Sequence, residues 1–206
     1  NAGGSAGLDN TIMDFGRRDT ISWDTLSAMV VFHVLAVVAL FHVTWSALLV
    51  AFILHWVCIG WGIGMGYHRL HTHRAYRVPR LVEYFFATCA TLALQGGPIF
   101  WTAVHRIHHQ YSDDTGDPHT PRDGKWWSHI LWTIFGEALH SNTAVVGKYA
   151  PDLMEHRFYR VLNTWHWVPL VVLGIFLYLI GGLPWLLWGV FFRVVFGLHA
   201  TWAVNS

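Results

Sequence analysis

Residues 25–68 read TLSAMVVFHVLAVVALFHVTWSALLVAFILHWVCIGWGIGMGYH, and these 44 residues contain no Asp, Glu, Lys or Arg. As helix they would extend about 66 Å at ~1.5 Å per residue, twice the roughly 30 Å of a bilayer core. The stretch therefore reads as two membrane spans, Leu26 to Val43 and Trp45 to Tyr67, joined by a tight uncharged turn. A second apolar block, residues 161–206, holds a single charge, Arg193, and is broken by Gly181-Gly182-Leu183-Pro184. It predicts two more spans, Trp167 to Ile180 and Pro184 to Asn205. Between the blocks, residues 84–104 are also uncharged, but Gln95-Gly96-Gly97-Pro98 interrupts them too early for a crossing. They predict an interfacial or re-entrant helix.

Composition agrees. The 206 residues are 54% hydrophobic and 12% charged, where soluble domains carry roughly a quarter charged residues. With 13 basic against 12 acidic residues there is no cationic surplus for nucleic acid. Two cysteines, Cys58 and Cys89, cannot form a disulfide framework. Thirteen Trp suit membrane interfaces. Twelve of the 13 basic residues lie in the N-terminal tail or between Arg69 and Arg160. The positive-inside rule then places the tail, the 68–166 segment and both ends in the cytoplasm. The expected architecture is all-α: four transmembrane helices with a cytoplasmic helical cap, preceded by a tail over residues 1–24. No signal-peptide pattern precedes the first apolar run. A chain that starts at Asn1 and stops at Ser206 inside an apolar segment reads as a piece of a longer one.

The chemistry lies in the 15 histidines, which outnumber the basic and the acidic residues alike. One cluster is His68-Arg69-Leu70-His71-Thr72-His73, at the cytoplasmic mouth of the second span. Another is His105-Arg106-Ile107-His108-His109. On a helix His105, His108 and His109 share a face, with the adjacent pair splayed enough to reach two metals. His68 and His73 lie about 140° apart on a regular helix. They converge where the helix ends or unwinds, or they serve different metals. His71 reads as a supporting or surface residue. His33, His42, His55, His166 and His199 read as packed or hydrogen-bonded residues facing the bundle interior.

Imidazole suits Zn, Cu, Fe and Ni. The HExxH pattern of zinc peptidases is absent. A ferritin-like carboxylate cage needs more than Glu83, Glu137, Glu155 and the single ExxH from Glu137 to His140. An all-histidine site for two irons remains, with positions open to O2 and a lipid-soluble substrate.

His68-x4-His73 and His105-x2-His108-His109 resemble the first two histidine boxes of the membrane fatty acid desaturases. The strings GYHRLHTHR, QGGPIFWTAVHRIHHQYSDDTGDPHTPRDG, WWSH and HATWAVNS resemble the Δ9-type acyl desaturases of the bacterial and cyanobacterial branch, from about Trp45 to Ser206. The resemblance implies an enzyme that uses O2 and two electrons to insert a cis double bond into a fatty acyl chain. It implies two Fe ions held by His68, His73, His105, His108 and His109, with Asn205 reaching one through water. It implies that Gln95, Trp101 and Thr201 kink the acyl tunnel at the reacting bond and that Trp202 lines the substrate path. Further ligands, among them a third box HNxHH, would follow Ser206, so residues 25–206 read as a C-terminally incomplete desaturase-like domain, inactive alone. Where the animal acyl-CoA enzymes carry Arg-Asp before the second box, this chain has Ala103 and Val104. That favours an acyl-lipid or carrier-bound substrate over acyl-CoA. Asp113, Asp114 and Asp117 lie close enough in sequence to orient ligand imidazoles, and read equally as solvated turn acids. No flavin or haem motif appears, so electrons come from outside, from a ferredoxin or a cytochrome b5-type donor. Two rival readings are a histidine-box lipid hydroxylase, separable by its product, and a membrane b-type cytochrome using His42 and His55.

Overall fold

The computed structural model describes residues 21–112, 114, 116–136 and 147–205. The tail to Thr20, Asp113, the Glu137–His140 motif and Ser206 lie outside these, as does the side chain of Asn205. Every regular element described is helical.

Helix α1 (Trp23–Ala39) gives way to a turn at Leu40. Helix α2 (Trp45–His55) starts on a Thr44 side chain that accepts from the Ala47 amide, the usual N-cap bond. From Trp56 to Thr72 the same rod continues in π-winding. There the hydrogen bonds run from i to i+5, which widens each turn. This segment carries glycine at 60, 62, 64 and 66. Helix α3 (Arg80–Thr91) packs closely on it, and a Cβ on Gly62 would sit 2.4 Å from the Ala90 amide nitrogen. After α3 the chain bends through Leu94 (φ 55°) and Gly96 (φ 101°) into α4 (Pro98–Tyr111). Then come a π-wound turn, Trp127–Leu131, and the short helices α5 (Trp132–Phe135), α6 (Pro151–Met154) and α7 (Arg157–Thr164). Helix α8 (Val168–Leu186) leads through a π-wound stretch, Leu187–Phe192, into α9 (Arg193–Asn205).

Among the described residues two stretches, not the expected four, are long and apolar enough to cross a membrane: Trp45–Thr72, with 28 residues, and Val168–Val204, with 37. The reasons are local. Helix α1 stops after 17 residues, short of a full crossing. The second stretch runs on through its predicted break without losing helical character for more than one residue. That residue is Gly182, at φ 65° and ψ −160°, a backbone conformation that glycine adopts without a Cβ penalty. The 37 residues are nonetheless not one straight rod. A Cβ on Gly174 would lie 3.6 Å from Val190 Cγ2, and one on Gly189 would lie 2.7 Å from Leu177 Cδ1. The chain folds back at Gly182 and packs Leu170 and Leu177 against Val190, Val194 and Leu198.

The turns after α1 and at Gly182 lie at the same end of this stem. Trp188 Nε1 donates to the Ala39 carbonyl at 2.9 Å and Trp185 Nε1 to Ser46 Oγ at 3.0 Å. At the opposite end the Ser22 amide donates to the Ile134 carbonyl at 2.9 Å, tying the start of α1 to the segment between the apolar blocks. Arg193, the one charge of the second block, is 2% exposed. Its Nε donates to the Gly189 carbonyl at 2.7 Å and its guanidinium to the Leu92 carbonyl at 2.9 Å. The latter is among the carbonyls that the end of α3 leaves without a helical partner.

Candidate metal centre

The π-winding explains how the first box converges. Residues five apart on such a turn are linked by one backbone bond, and the His73 amide does donate to the His68 carbonyl, at 3.0 Å. The helix ends there, and the two Nε2 atoms stand 3.0 Å apart. On α4, His105 and His109 are four apart, and their Nε2 atoms are separated by 3.2 Å. The two pairs face each other: ring centroids are 4.9 Å apart for His68–His105 and 4.6 Å for His73–His109. One ring nitrogen from each of these four residues fits within a sphere where all lie within 4.8 Å of one another.

His108 points elsewhere, as its splay from His109 predicts. Its Nδ1 donates to Asp117 Oδ2 at 2.9 Å, and Asp117 is 2% exposed. That bond leaves the Nε2 lone pair directed away from the carboxylate, the arrangement in which a metal-binding imidazole is oriented. The His119 ring lies 4.5 Å from that of His108, and the His119 amide donates to Asp117 Oδ1 at 3.1 Å. His108, Asp117 and His119 form a second group with the donor spacing of a metal site.

The donor set fits iron. It is nitrogen-rich, and His105 and His109 are biased toward the neutral form. Burial, followed by the neighbouring imidazoles of His109, His68, His108 and His119, pushes His105 down to about 2. Burial, with His73 and His108, lowers His109 as well, against an opposing pull from Asp117. A neutral imidazole is the form that binds a cation.

Two clamps hold the boxes in place. Arg106 sits between the ligand positions on α4 and faces the other way. It donates to both oxygens of Asp152 (2.7 and 3.0 Å), to the Tyr149 carbonyl (3.0 Å) and to the His71 carbonyl (2.6 Å). The first box is thereby tied to the helix that carries the second. His71 itself is 6% exposed, with its ring 5.1 Å from that of Tyr159, so it is a buried support and not a surface residue. Asn163 on α7 supplies the other clamp. Its Oδ1 accepts from the Ile99 and Phe100 amides at 3.1 and 2.9 Å, capping α4 from a separate helix.

Below the cluster, Trp101 Nε1 donates to Gln95 Oε1 at 3.2 Å, and Gln95 Nε2 donates to Thr201 Oγ1 at 2.9 Å. The Trp101 ring lies 4.8 Å from that of His105. The structure thus brings Gln95, Trp101 and Thr201 into one chain against a candidate ligand. Trp202 is buried, its ring 5.6 Å from His199 and 6.2 Å from His129. His42 is exposed in the turn after α1, and His55 packs on Phe196 at 5.3 Å. Arg106 and Asn163 gave no recognisable signal in the sequence, since each acts through partners 35 to 64 residues away.

An all-helical membrane-associated protein with clustered histidines that could hold a metal ion is the class that fold and site define. Residues 43–206 match the fatty acid desaturase family, and the chain belongs to that family of oxidoreductases. The sn-1 stearoyl-lipid 9-desaturase of Anabaena variabilis is 41% identical over 191 residues, covering 92% of this chain and 69% of that protein. The sn-2 palmitoyl-lipid 9-desaturase of Nostoc sp. (strain 36) is 40% identical, covering 93% and 67%. The icosanoyl-CoA 5-desaturase of Limnanthes douglasii is 38% identical, covering 97% and 57%. The chain thus spans between about half and two thirds of the length of such relatives.

Proposed function

We propose that the complete protein is an acyl-lipid Δ9 desaturase with two irons. The observation that carries this reading is the convergence of His68, His73, His105 and His109, with His108 aimed separately through Asp117. Two separate groups of imidazole donors suit two metal ions better than one. When bound, the irons supply the O2-dependent oxidation. The net change removes two hydrogens from adjacent CH2 groups, and these combine with O2, two electrons and two protons to leave as two waters. The residues of this chain hold and orient. Asp117 fixes the His108 tautomer, Arg106 fixes the spacing of the two boxes, and the Gln95–Trp101–Thr201 chain forms a rigid wall against which an acyl chain bends. Trp202 would close the same path, and the family resemblance would give Asn205 a water-mediated role at one iron. Other ligands of the complete protein would fill the remaining positions.

A lipid-bound substrate is favoured because Ala103 and Val104 are 0% and 5% exposed. Neither presents anything to a CoA head. Two of the relatives above are likewise named for lipid substrates. The fold-back at Gly182 and the shared end of both turns support four crossings, with the histidine boxes and both ends on the cytoplasmic side. The electron donor would be a ferredoxin or a cytochrome b5-type protein. The test is full-length protein in a host without its own desaturase, given labelled glycerolipid or labelled acyl-CoA. Expected is a cis-9 double bond on the glycerolipid chain. Faster use of acyl-CoA would overturn the substrate assignment, and a hydroxylated product would overturn the reaction.

A further inference from the structure

Three histidines outside the four-histidine cluster meet inside the stem. His33 belongs to α1, His199 to α9 and His129 to the turn before α5. His33 Nε2 lies 2.9 Å from His199 Nε2, and His199 Nδ1 lies 3.0 Å from His129 Nε2. His33 Nδ1 stands 2.6 Å from the Met29 carbonyl. A carbonyl accepts and cannot donate, so this nitrogen carries the hydrogen, and the neutral His33 ring turns its Nε2 lone pair toward His199. His199 then donates from Nε2 and accepts at Nδ1 from His129. One backbone carbonyl thereby fixes three tautomers.

A ring with one nitrogen tied to a carbonyl and the other lone pair turned inward is oriented as a metal ligand is. The pair geometry agrees. His33 and His199 cross edge-on at 82°, with Nε2 atoms 2.9 Å apart. His68–His73 and His105–His109 both cross at 83°, with separations of 3.0 and 3.2 Å. Edge-on rings turn the two Nε2 atoms toward one another, so both lone pairs face the space between them once the shared hydrogen is displaced. The stem pair repeats the geometry of the two pairs at the candidate iron centre.

The geometry points to a second, separate metal site at His33 and His199, built for a monovalent copper ion. Entry of the cation displaces the hydrogen between the two Nε2 atoms without net loss of a proton: His199 takes up on Nδ1 the hydrogen that His129 Nε2 donated, and His129 takes up one on its own Nδ1. His199 then donates from Nδ1 to His129 Nε2, so His129 becomes the supporting acceptor. Three observations select Cu+ over a dication. The donors are neutral, and α1 carries no charged residue after Asp24, so a single charge is the least costly to hold in apolar surroundings. Met29 lies one turn from His33 and lines the same cavity of about 320 Å³, with Val34, Ile130 and Ile134. The Met29 sulfur contacts Thr133 Oγ1, at 3.8 Å; turned toward His33, the thioether would add to the imidazoles a soft donor, which prefers Cu+. No carboxylate lines that cavity.

The experiment titrates iron-loaded full-length protein with Cu+, anaerobically, against a chromophoric Cu+ chelator, and measures iron in parallel. Expected is one copper per chain with iron retained, lost in His33→Gln and in His199→Gln and weakened at least tenfold in Met29→Leu. X-ray absorption of the wild-type copper form should show two imidazole nitrogens, a reading that needs no variant to fold. No bound copper, copper gained only as iron is lost, uptake unchanged in both His variants, or Zn2+ bound at this pair in preference to Cu+ would each overturn the assignment. Copper stoichiometry is independent of product formation, so failure here and failure of the desaturase reading are told apart.

Discussion

Asn163→Ala tests how the second box is held. The first turn of α4 begins with Pro98, which has no N–H, and its N-cap, Gly97, has no side chain to accept from the amides that follow. The Ile99 and Phe100 amides instead find Asn163 Oδ1, at 3.1 and 2.9 Å. Ile99 is 0% exposed and Asn163 8%. A Cβ on Gly97 would lie 2.5 Å from Asn163 Cα, so the two backbones touch and leave little room for water. An orphaned buried donor costs about 1–3 kcal/mol. Two that share one acceptor give about 2–4 kcal/mol, or roughly 4–16 °C in Tm for a domain of this size. Asn163→Asp keeps the oxygen and places a negative charge at a helix N-terminus, so it should fall by less than ~1 kcal/mol. The assay is thermal unfolding of the full-length protein in detergent, with iron per chain measured alongside. An alanine variant with unchanged Tm and iron would refute the capping argument. An aspartate variant as unstable as alanine would show that shape matters and the acceptor does not.

Two further outcomes can be checked in the same preparation. Gly62→Ala drives a methyl into the Ala90 backbone, 2.4 Å from its nitrogen, and should cost about 1–3 kcal/mol by overpacking; Gly60→Ala, whose nearest neighbour is the Trp56 side chain at 3.4 Å, should be neutral or better. Asp152 gives a pH signature. Burial raises its carboxyl, but hydrogen bonds and charge from Arg106, with Arg74, overcome this and bring it down to about 2. The unfolded chain takes up its proton near ~3.9, so the stabilisation is complete above about pH 4 and is lost as pH falls toward 2. With the side chain 36% exposed, screening leaves about 1 kcal/mol. Melts between pH 5 and pH 3 should therefore show a fall that Asp152→Asn lacks, and equal slopes in both would refute it.

The long apolar helices were legible because charge is excluded over long stretches. The breaks at Thr44, Gly96 and Gly182 were legible because glycine and short polar residues mark them. The histidine boxes were legible as spacing, but the convergence of His68 with His73 depended on winding that a regular helix does not have. Of the glycines at 60, 62, 64 and 66, Gly62 and Gly66 admit α3 at Ala90 and Phe86. His33 and His199 looked like ordinary packed residues when taken singly. Their meaning lies in a contact spanning 166 positions, which no local pattern encodes. Asn163 is similar: a polar residue in a short helix, whose function is set by a helix start 64 residues earlier. The described residues hold two long apolar stretches where four spans were expected, because α1 is short and because the backbone stays helical on both sides of Gly182, so the two arms there run on as one stretch.

Arg193 makes the order of assembly matter. An arginine at the middle of an apolar helix carries an insertion penalty of ~2.5–3.5 kcal/mol. Here the guanidinium reaches the carbonyl of Leu92, a residue synthesised 101 positions earlier. That acceptor exists in the right place only after α3 has docked on the glycine face and the chain has bent at Leu94 and Gly96. A chain whose bend has not formed would carry a naked cation into lipid and meet the full penalty. One that has folded correctly presents a ready socket. The charge thus works as a checkpoint: the last helix seats stably only on a stem that has already assembled.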